Sequence, residues 1–294
     1  MTVIGIFGPT ASGKSRVAAA VADLLPAELV SADAMQVYRG LPILTNQSPA
    51  RLVAIWTLEH EASVGEYAQL AHAAIDEILD GGRVPVVVGG TGLYLRAALA
   101  ELSLPPAPLP GARARWEEAY DADPAAAYER LRAVDPAAAA VVHANDRRRV
   151  VRALELAEAG SSLAPETDRL WAAETRHPTV LVGLDVPRDV VERRIVERTQ
   201  AMFDTGVEDE VRHALSGPVS TTARKTLGLD EIARLPRDQA IEAIVARTRR
   251  YAAYQRKWMR RVPGLVMVDG DRPPGDIADD IVALAGTRER LSRR

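Results

Sequence analysis

No cysteine occurs anywhere in the 294 residues. That one absence removes disulfides, thiolate nucleophiles and cysteine-based zinc sites together. No apolar run approaches the roughly 20 residues that a membrane-spanning helix needs. Internal repeats are missing too, and the only compositional bias is towards alanine. Lysine is scarce: Lys14, Lys225 and Lys257 stand alone among 37 lysines and arginines. The formal net charge of −3 argues against a surface that grips nucleic acid everywhere, while leaving room for local basic patches. The first apolar run starts at Val3, so no leader peptide is expected ahead of the fold, and a soluble cytoplasmic protein is the expectation.

What is present reads as globular. With 47% apolar and 26% charged residues, the chain can bury a large core as one big domain or two small ones. Val3–Phe7 predicts a short buried strand. It runs into Gly8-Pro9-Thr10-Ala11-Ser12-Gly13-Lys14-Ser15, the spacing of a phosphate loop. Gly8 and Gly13 are expected to let the backbone curl so that successive N–H groups face phosphate oxygens. One of the rare lysines, Lys14, sits where a compact cation is useful, and Ser15 can offer its hydroxyl to Mg²⁺. A helix over Arg16–Leu25 would turn its positive end towards the same anion.

Leu29-Val30 closes a second apolar segment, which puts Asp33 where a strand end meets ligand in open α/β sheets. Asp33 reads equally well as a helix N-cap. Gly65–Asp80 has a helical apolar face, and Val84–Val88 has the continuous apolar run of a buried parallel strand. That strand ends in Gly89-Gly90-Thr91, where a common phosphate-loop NTPase would place a metal-ordering Asp. The bare glycines suggest close approach of a ligand, with Thr91 as a hydroxyl donor. Pro105–Pro110 reads as a stiff linker. Gly111–Leu156 then reads as a helical insertion broken at Asp123-Pro124 and Asp135-Pro136. Its run Asn145–Arg152 holds four arginines, which suit either a solvated face or a phosphodiester-binding edge. Thr179–Leu184 predicts another strand, and helices are expected over Pro187–Phe203, Gly206–Leu215 and Gln239–Arg261. The last interleaves Tyr251, Tyr254 and Trp258 with seven cations. That pattern fits nucleic acid, or equally a helix with aromatics on the sheet and cations in water.

Taken together, six stretches resemble the tRNA dimethylallyltransferases. They are Gly8–Ser15 (GPTASGKS), Ser31–Gly40 (SADAMQVYRG), Val88–Tyr94 (VGGTGLY), Asn145–Leu156 (NDRRRVVRALEL), Glu197–Val211 (ERTQAMFDTGVEDEV) and Thr248–Met259 (TRRYAAYQRKWM). The resemblance implies transfer of a dimethylallyl group from its diphosphate to N6 of the adenosine beside the anticodon (position 37) of tRNA. It implies that the phosphate loop holds dimethylallyl diphosphate, with Mg²⁺ near Ser15. Asp33 would be the general base, Thr91 would stand near the reacting centre, and Arg198 would bind the diphosphate. Asp33, Ala34, Met35, Gln36, Thr91, Arg113, Arg148, Arg149, Val150, Val151 and Arg152 would touch the tRNA anticodon stem-loop. The target adenine would be flipped out of its stack.

The chain departs from the family pattern in places. Gln47 stands where the family has a lysine, Ala34 replaces the serine of an Asp-Ser pair, and the paired-histidine segment survives only as Glu59-His60. Asp230 introduces an acid into an Ile-Gly-Tyr-Lys-like segment. Three other readings remain: an adenylate isopentenyltransferase, a small-molecule kinase using the loop for ATP, and a non-catalytic RNA-binding protein. The expected architecture is a three-layer α/β fold of the phosphate-loop type with a parallel sheet. Residues 1–109 and 178–294 would form its core and 110–177 a helical insertion contacting tRNA, in a monomer with no membrane partner.

Overall fold

The computed structural model describes residues 2–102, 109–164 and 172–292, with side chains to residue 287. Most of the expected Pro105–Pro110 linker, residues 105–108, lies outside the described residues. In chain order the elements are β1 (Val3–Phe7), α1 (Lys14–Leu24), β2 (Ala27–Ser31), α2 (Pro42–Thr45), α3 (Val64–Asp80), β3 (Val84–Gly89) and α4 (Gly92–Leu99). Four helices follow: α5 (Ala112–Ala122), α6 (Pro124–Val134), α7 (Pro136–Val141) and α8 (Arg147–Glu158). The chain then forms β4 (Thr179–Asp185), α9 (Arg188–Asp204), α10 (Val207–Ala214), α11 (Leu229–Arg234), α12 (Arg237–Met259), β5 (Leu265–Asp269) and α13 (Pro274–Ser292).

The five strands form one parallel sheet in the order β2-β3-β1-β4-β5. The winding reverses at β1, which has β3 on one side and β4 on the other. Ligands bind at such a reversal, outside the carboxyl ends of the strands. Register brings those ends level: Phe7 pairs with Gly89 and with Gly183, and Ser31 pairs with Val88. The loops that follow β1, β2 and β3 therefore leave the sheet along one edge.

Each face of the sheet is covered. Ile4, Ile6, Val86, Val182 and Leu184 pack with Val17 and Val21 of α1 and Ile277 and Ile281 of α13. Each such fully buried side chain contributes roughly 1.5–3 kcal/mol. On the other face α3 lies against β2 and β3, and α4 against β1 and β3. This is the expected three-layer α/β fold. β5 and α13 were not anticipated. β5 is an edge strand with Val266 and Met267 exposed, so it lacks the continuous burial of a central strand.

The chain divides into two compact units, Met1–Glu101 with Trp171–Arg294, and Leu102–Leu170. The second boundary falls before 178 because residues 172–177 are tied to the sheet unit. The buried Arg96 donates to the Ala172 carbonyl, Arg176 pairs with Asp76 and Glu101, and His177 bonds Asp76. The smaller unit has its own core of Leu131, Val142, Val150 and Leu154. Its breaks are helix caps: Asp123, Asp135 and Asp146 each accept an N–H of the following helix, and Pro124 and Pro136 occupy first-turn positions.

Candidate active site

The loop after β1 is built as an anion cradle. Gly13 sits at φ 89° and Ala11 at φ 61°, a left-handed geometry that turns backbone donors to one side. Ser12 N–H is taken by Pro9 O, and Thr10 N–H by Gln255. The N–H groups of Ala11, Gly13, Lys14 and Ser15 have no partner among the described residues. Because α1 begins at Lys14 rather than Arg16, the last two are open first-turn donors. The Ser12 hydroxyl is buried with no hydrogen-bond partner among the described residues. Gly8 serves differently from the expectation that it lets the backbone curl. Its φ is not positive, and a Cβ there would lie 2.9 Å from Ser12 Oγ and 3.4 Å from Leu184 Cβ, so a side chain would crowd Ser12.

Two cations flank the cradle. Lys14 Nζ donates to Pro9 O at 2.7 Å. Burial pushes the Lys14 pKa down to about 8, with Asp33 pulling it up and Arg198 adding to the fall. From α9, Arg198 Nη1 donates to Thr10 Oγ1 at 3.1 Å. Burial lowers its pKa against the pull of Asp33, and a guanidinium starting that high keeps its charge.

Asp33 follows β2 beside these cations. Its Oδ1 accepts Met35 N–H at 2.9 Å, which makes it the cap of a turn over 34–37 rather than of a helix. The cap reading holds for a turn, and that cap occupies only one of the two carboxylate oxygens. Thr91 Oγ1 lies 3.4 Å from Ala34 N and 3.2 Å from the Tyr251 hydroxyl. Burial raises the Tyr251 phenol pKa, so the hydroxyl stays neutral. Lys14, Ser15, Ser31, Asp33, Gln36 and Gly89 line one pocket. Among the described residues, no group of three or more His, Cys, Asp or Glu stands ready to hold a metal ion.

The missing side chains at Gly89-Gly90 have a packing reason, while the Gly89 backbone still lines the pocket. A Cβ on Gly89 would meet Ala32 O at 2.1 Å, and one on Gly90 would meet Gln255 Nε2 at 2.3 Å. One on Gly92 would meet the Trp258 ring at 2.1 Å. These glycines are bare because the protein itself fills the space.

Gln36 is committed internally: it accepts from Ser31 Oγ at 2.9 Å and donates to Asn46 O at 3.0 Å. Gln47, at the family's lysine position, donates to Tyr38 O at 2.7 Å. Ala34 and Met35 are partly exposed beside Asp33.

In the helical unit Arg148 and Arg149 are exposed, but Val150 and Val151 are 0% and 2% exposed. The expectation that these two valines touch tRNA is therefore corrected: they face the helical core and serve packing. Arg113 grips the buried Glu155 through both oxygens, at 2.6 and 3.0 Å, and Arg152 adds a third bond at 3.1 Å. Burial works to raise the Glu155 pKa, and the two arginines outweigh it, leaving a net fall.

Helix α12 turns part of its aromatic stripe inward and leaves most of its cations in water. Tyr251 and Trp258 pack against the loop at Thr91 and Gly92, while Arg249, Arg250, Lys257 and Arg260 are exposed, with no ion pair among the described residues. Sequence reasoning missed Tyr251 and Gln255 as neighbours of the site. The signal was there in their spacing with Trp258, at i, i+4 and i+7.

A cradle of free N–H donors, two cations and a nearby carboxylate can hold a diphosphate and remove a proton beside it. Residues 36–262 match the family model described as IPP transferase. The chain is 41% identical over 284 residues to the tRNA dimethylallyltransferase of Salinispora tropica, covering 91% of this chain and 88% of that one. It is 39% identical over 304 residues to that of Thermobifida fusca, covering 96% and 94%. Among solved structures it is similar to the tRNA isopentenylpyrophosphate transferase of Bacillus halodurans, with TM-score 0.72, 28% identity and coverage of 100% and 99%. A eukaryotic dimethylallyltransferase acting on tRNA shares the fold, with TM-score 0.78 at 23% identity over 100% of this chain and 80% of that one. Among the described residues no helix is long and apolar enough to cross a membrane.

Proposed function

The chain belongs to the IPP transferase family, and we propose that it transfers a dimethylallyl group from dimethylallyl diphosphate to N6 of the adenosine adjacent to the anticodon (position 37) of tRNA. The observation that carries this reading is the level placement of the donor cradle and Asp33 at one sheet edge.

The chemistry needs both halves. The adenine N6 amine attacks C1 of the donor, the C1–O bond breaks, and pyrophosphate leaves with the bonding electrons. An exocyclic amine is a weak nucleophile and becomes cationic as it attacks. Asp33 takes its proton through the oxygen that Met35 does not hold. The developing negative charge on the leaving oxygen meets Lys14, Arg198 and the open N–H groups of Ala11, Gly13, Lys14 and Ser15. Thr91 fixes the Asp33 turn through Ala34. A Mg²⁺ ion would be held by the donor's phosphate oxygens with the Ser15 hydroxyl, and would supply further charge neutralisation.

For the tRNA anticodon arm, the exposed Arg148 and Arg149 and the half-exposed Arg113 provide cations for phosphodiester contacts, with Arg152 beside them. Ala34 and Met35 stand beside Asp33 for the flipped adenine. The protein would act in the cytoplasm as a monomer. The kinase reading is weakened by the metal-ordering position after β3, which holds Gly89-Gly90-Thr91. The test is transfer of labelled dimethylallyl to unmodified tRNA, against AMP and ATP in parallel.

A further inference from the structure

Helix α12 turns one stripe, Tyr251, Gln255 and Trp258, onto the loops that follow β1 and β3. At its centre Gln255 is 2% exposed and makes two bonds, one to each loop. Its Oε1 accepts Thr10 N–H at 2.8 Å, and its Nε2 donates to Gly90 O at 2.8 Å. One partner can only donate and the other can only accept, so the site demands a neutral carboxamide: a carboxylate cannot serve Gly90, nor a hydrocarbon either. Gly90 has no Cβ because the amide occupies that place.

The Thr10 N–H is thereby turned away from the cradle and fixed at its first residue. The side chain of the same Thr10 accepts from Arg198. One amide thus sets both the start of the anion cradle and the anchor of its arginine.

We propose that Gln255 is a positioning residue for the diphosphate: it holds the phosphate loop in its binding geometry from α12. This rests on the reading of the loop as a diphosphate site. Loss of the clamp lets the loop relax between ligands, so the open N–H groups no longer converge before binding.

Gln255→Glu keeps the shape and the acceptor but removes the donor, and Gln255→Met removes both. Inorganic pyrophosphate with Mg²⁺ is the probe, followed by calorimetry on the full chain. The expected result is an affinity about tenfold weaker in Gln255→Glu, the size of one lost buried hydrogen bond, and weaker again in Gln255→Met, which loses two. In turnover, KM for the prenyl diphosphate rises and kcat falls, while KM for tRNA stays within about twofold. Variants that melt lower yet bind pyrophosphate as tightly as the unaltered protein would reduce Gln255 to a packing residue and overturn the proposal. A loss confined to tRNA affinity would overturn it as well. If neither variant folds, amide exchange in the unaltered protein decides: Thr10 N–H must be protected before any ligand is added, and free exchange there sinks the proposal. Pyrophosphate binding without prenyl transfer by the unaltered protein would instead count against the proposed function, leaving the Gln255 effect readable.

Discussion

Met35 N–H donates to Oδ1 of Asp33 at 2.9 Å, so one carboxylate oxygen is committed to the turn and the other is the one the proposed base would use. A carboxylate held in this way is a fixed acceptor rather than a swinging one, as a base for a poor nucleophile should be.

Asp33→Asn keeps an oxygen for Met35 and therefore the turn, but it cannot take a proton. The expected outcome is a fall in kcat of about 10²–10⁴-fold with pyrophosphate affinity little changed. Rapid-quench single turnovers, set beside pyrophosphate titrations, separate the two.

The Lys14 pKa of about 8 gives a pH signature. Lys14 must be charged to attract the diphosphate, so kcat/KM for the donor should fall as pH rises through about 8. Bound diphosphate favours the ammonium, so the fall in kcat should appear at higher pH. A profile flat to pH 9.5 would contradict this.

Lys14 also costs stability, because burial disfavours its charge in the folded state. The unfolded chain holds the proton more tightly, so this cost is full below pH 8 and fades as pH rises towards the unfolded value near 10.5. Lys14→Met should therefore raise stability at pH 7, by on the order of 1 kcal/mol. Donor affinity should drop by roughly 10–100-fold. Thermal melts and calorimetry read the two opposite signs.

Glu155 anchors Arg113 and Arg152 inside the helical unit. Glu155→Ala leaves these cations without their buried partner and should cost about 2–3 kcal/mol, towards the low end because Arg113 is half-exposed. The folded Glu155 pKa is depressed, so its contribution is present above the unfolded value near 4.5 and is lost as pH falls below it. Hydrogen exchange confined to α5 and α8 would locate the loss.

Gly89→Ala should be among the most damaging small substitutions, since its Cβ would meet the main-chain oxygen of the buried Ala32 at 2.1 Å. Moving that backbone shifts Asp33 next door. A cost of about 3 kcal/mol or more is expected in denaturant titration, together with lost activity.

Much of this was legible from local pattern. The continuous apolar runs of β1, β3 and β4 mark strands buried in the sheet, and the glycine spacing after β1 marks the loop that joins it to α1. The Asp-Pro breaks do separate helices, each Asp capping the helix that its Pro begins. Less legible were features fixed by residues far apart in the chain. Gln255 reaches Thr10 across 245 positions and Tyr251 reaches Thr91 across 160, so no window of sequence contains either pair. The packing reason for the glycines after β3 was hidden in the same way, since Ala32 crowds Gly89 and Trp258 crowds Gly92. The burial of Val150 and Val151 within an arginine run follows from helical phase, which a linear motif ignores.

The most direct test of the central claim mixes the protein with Mg²⁺, labelled dimethylallyl diphosphate and unmodified tRNA carrying adenosine next to the anticodon, with AMP and ATP in parallel tubes. The account predicts label in that adenosine of the tRNA, lost with Asp33→Asn. Label in AMP alone, or full transfer by Asp33→Asn, would contradict it.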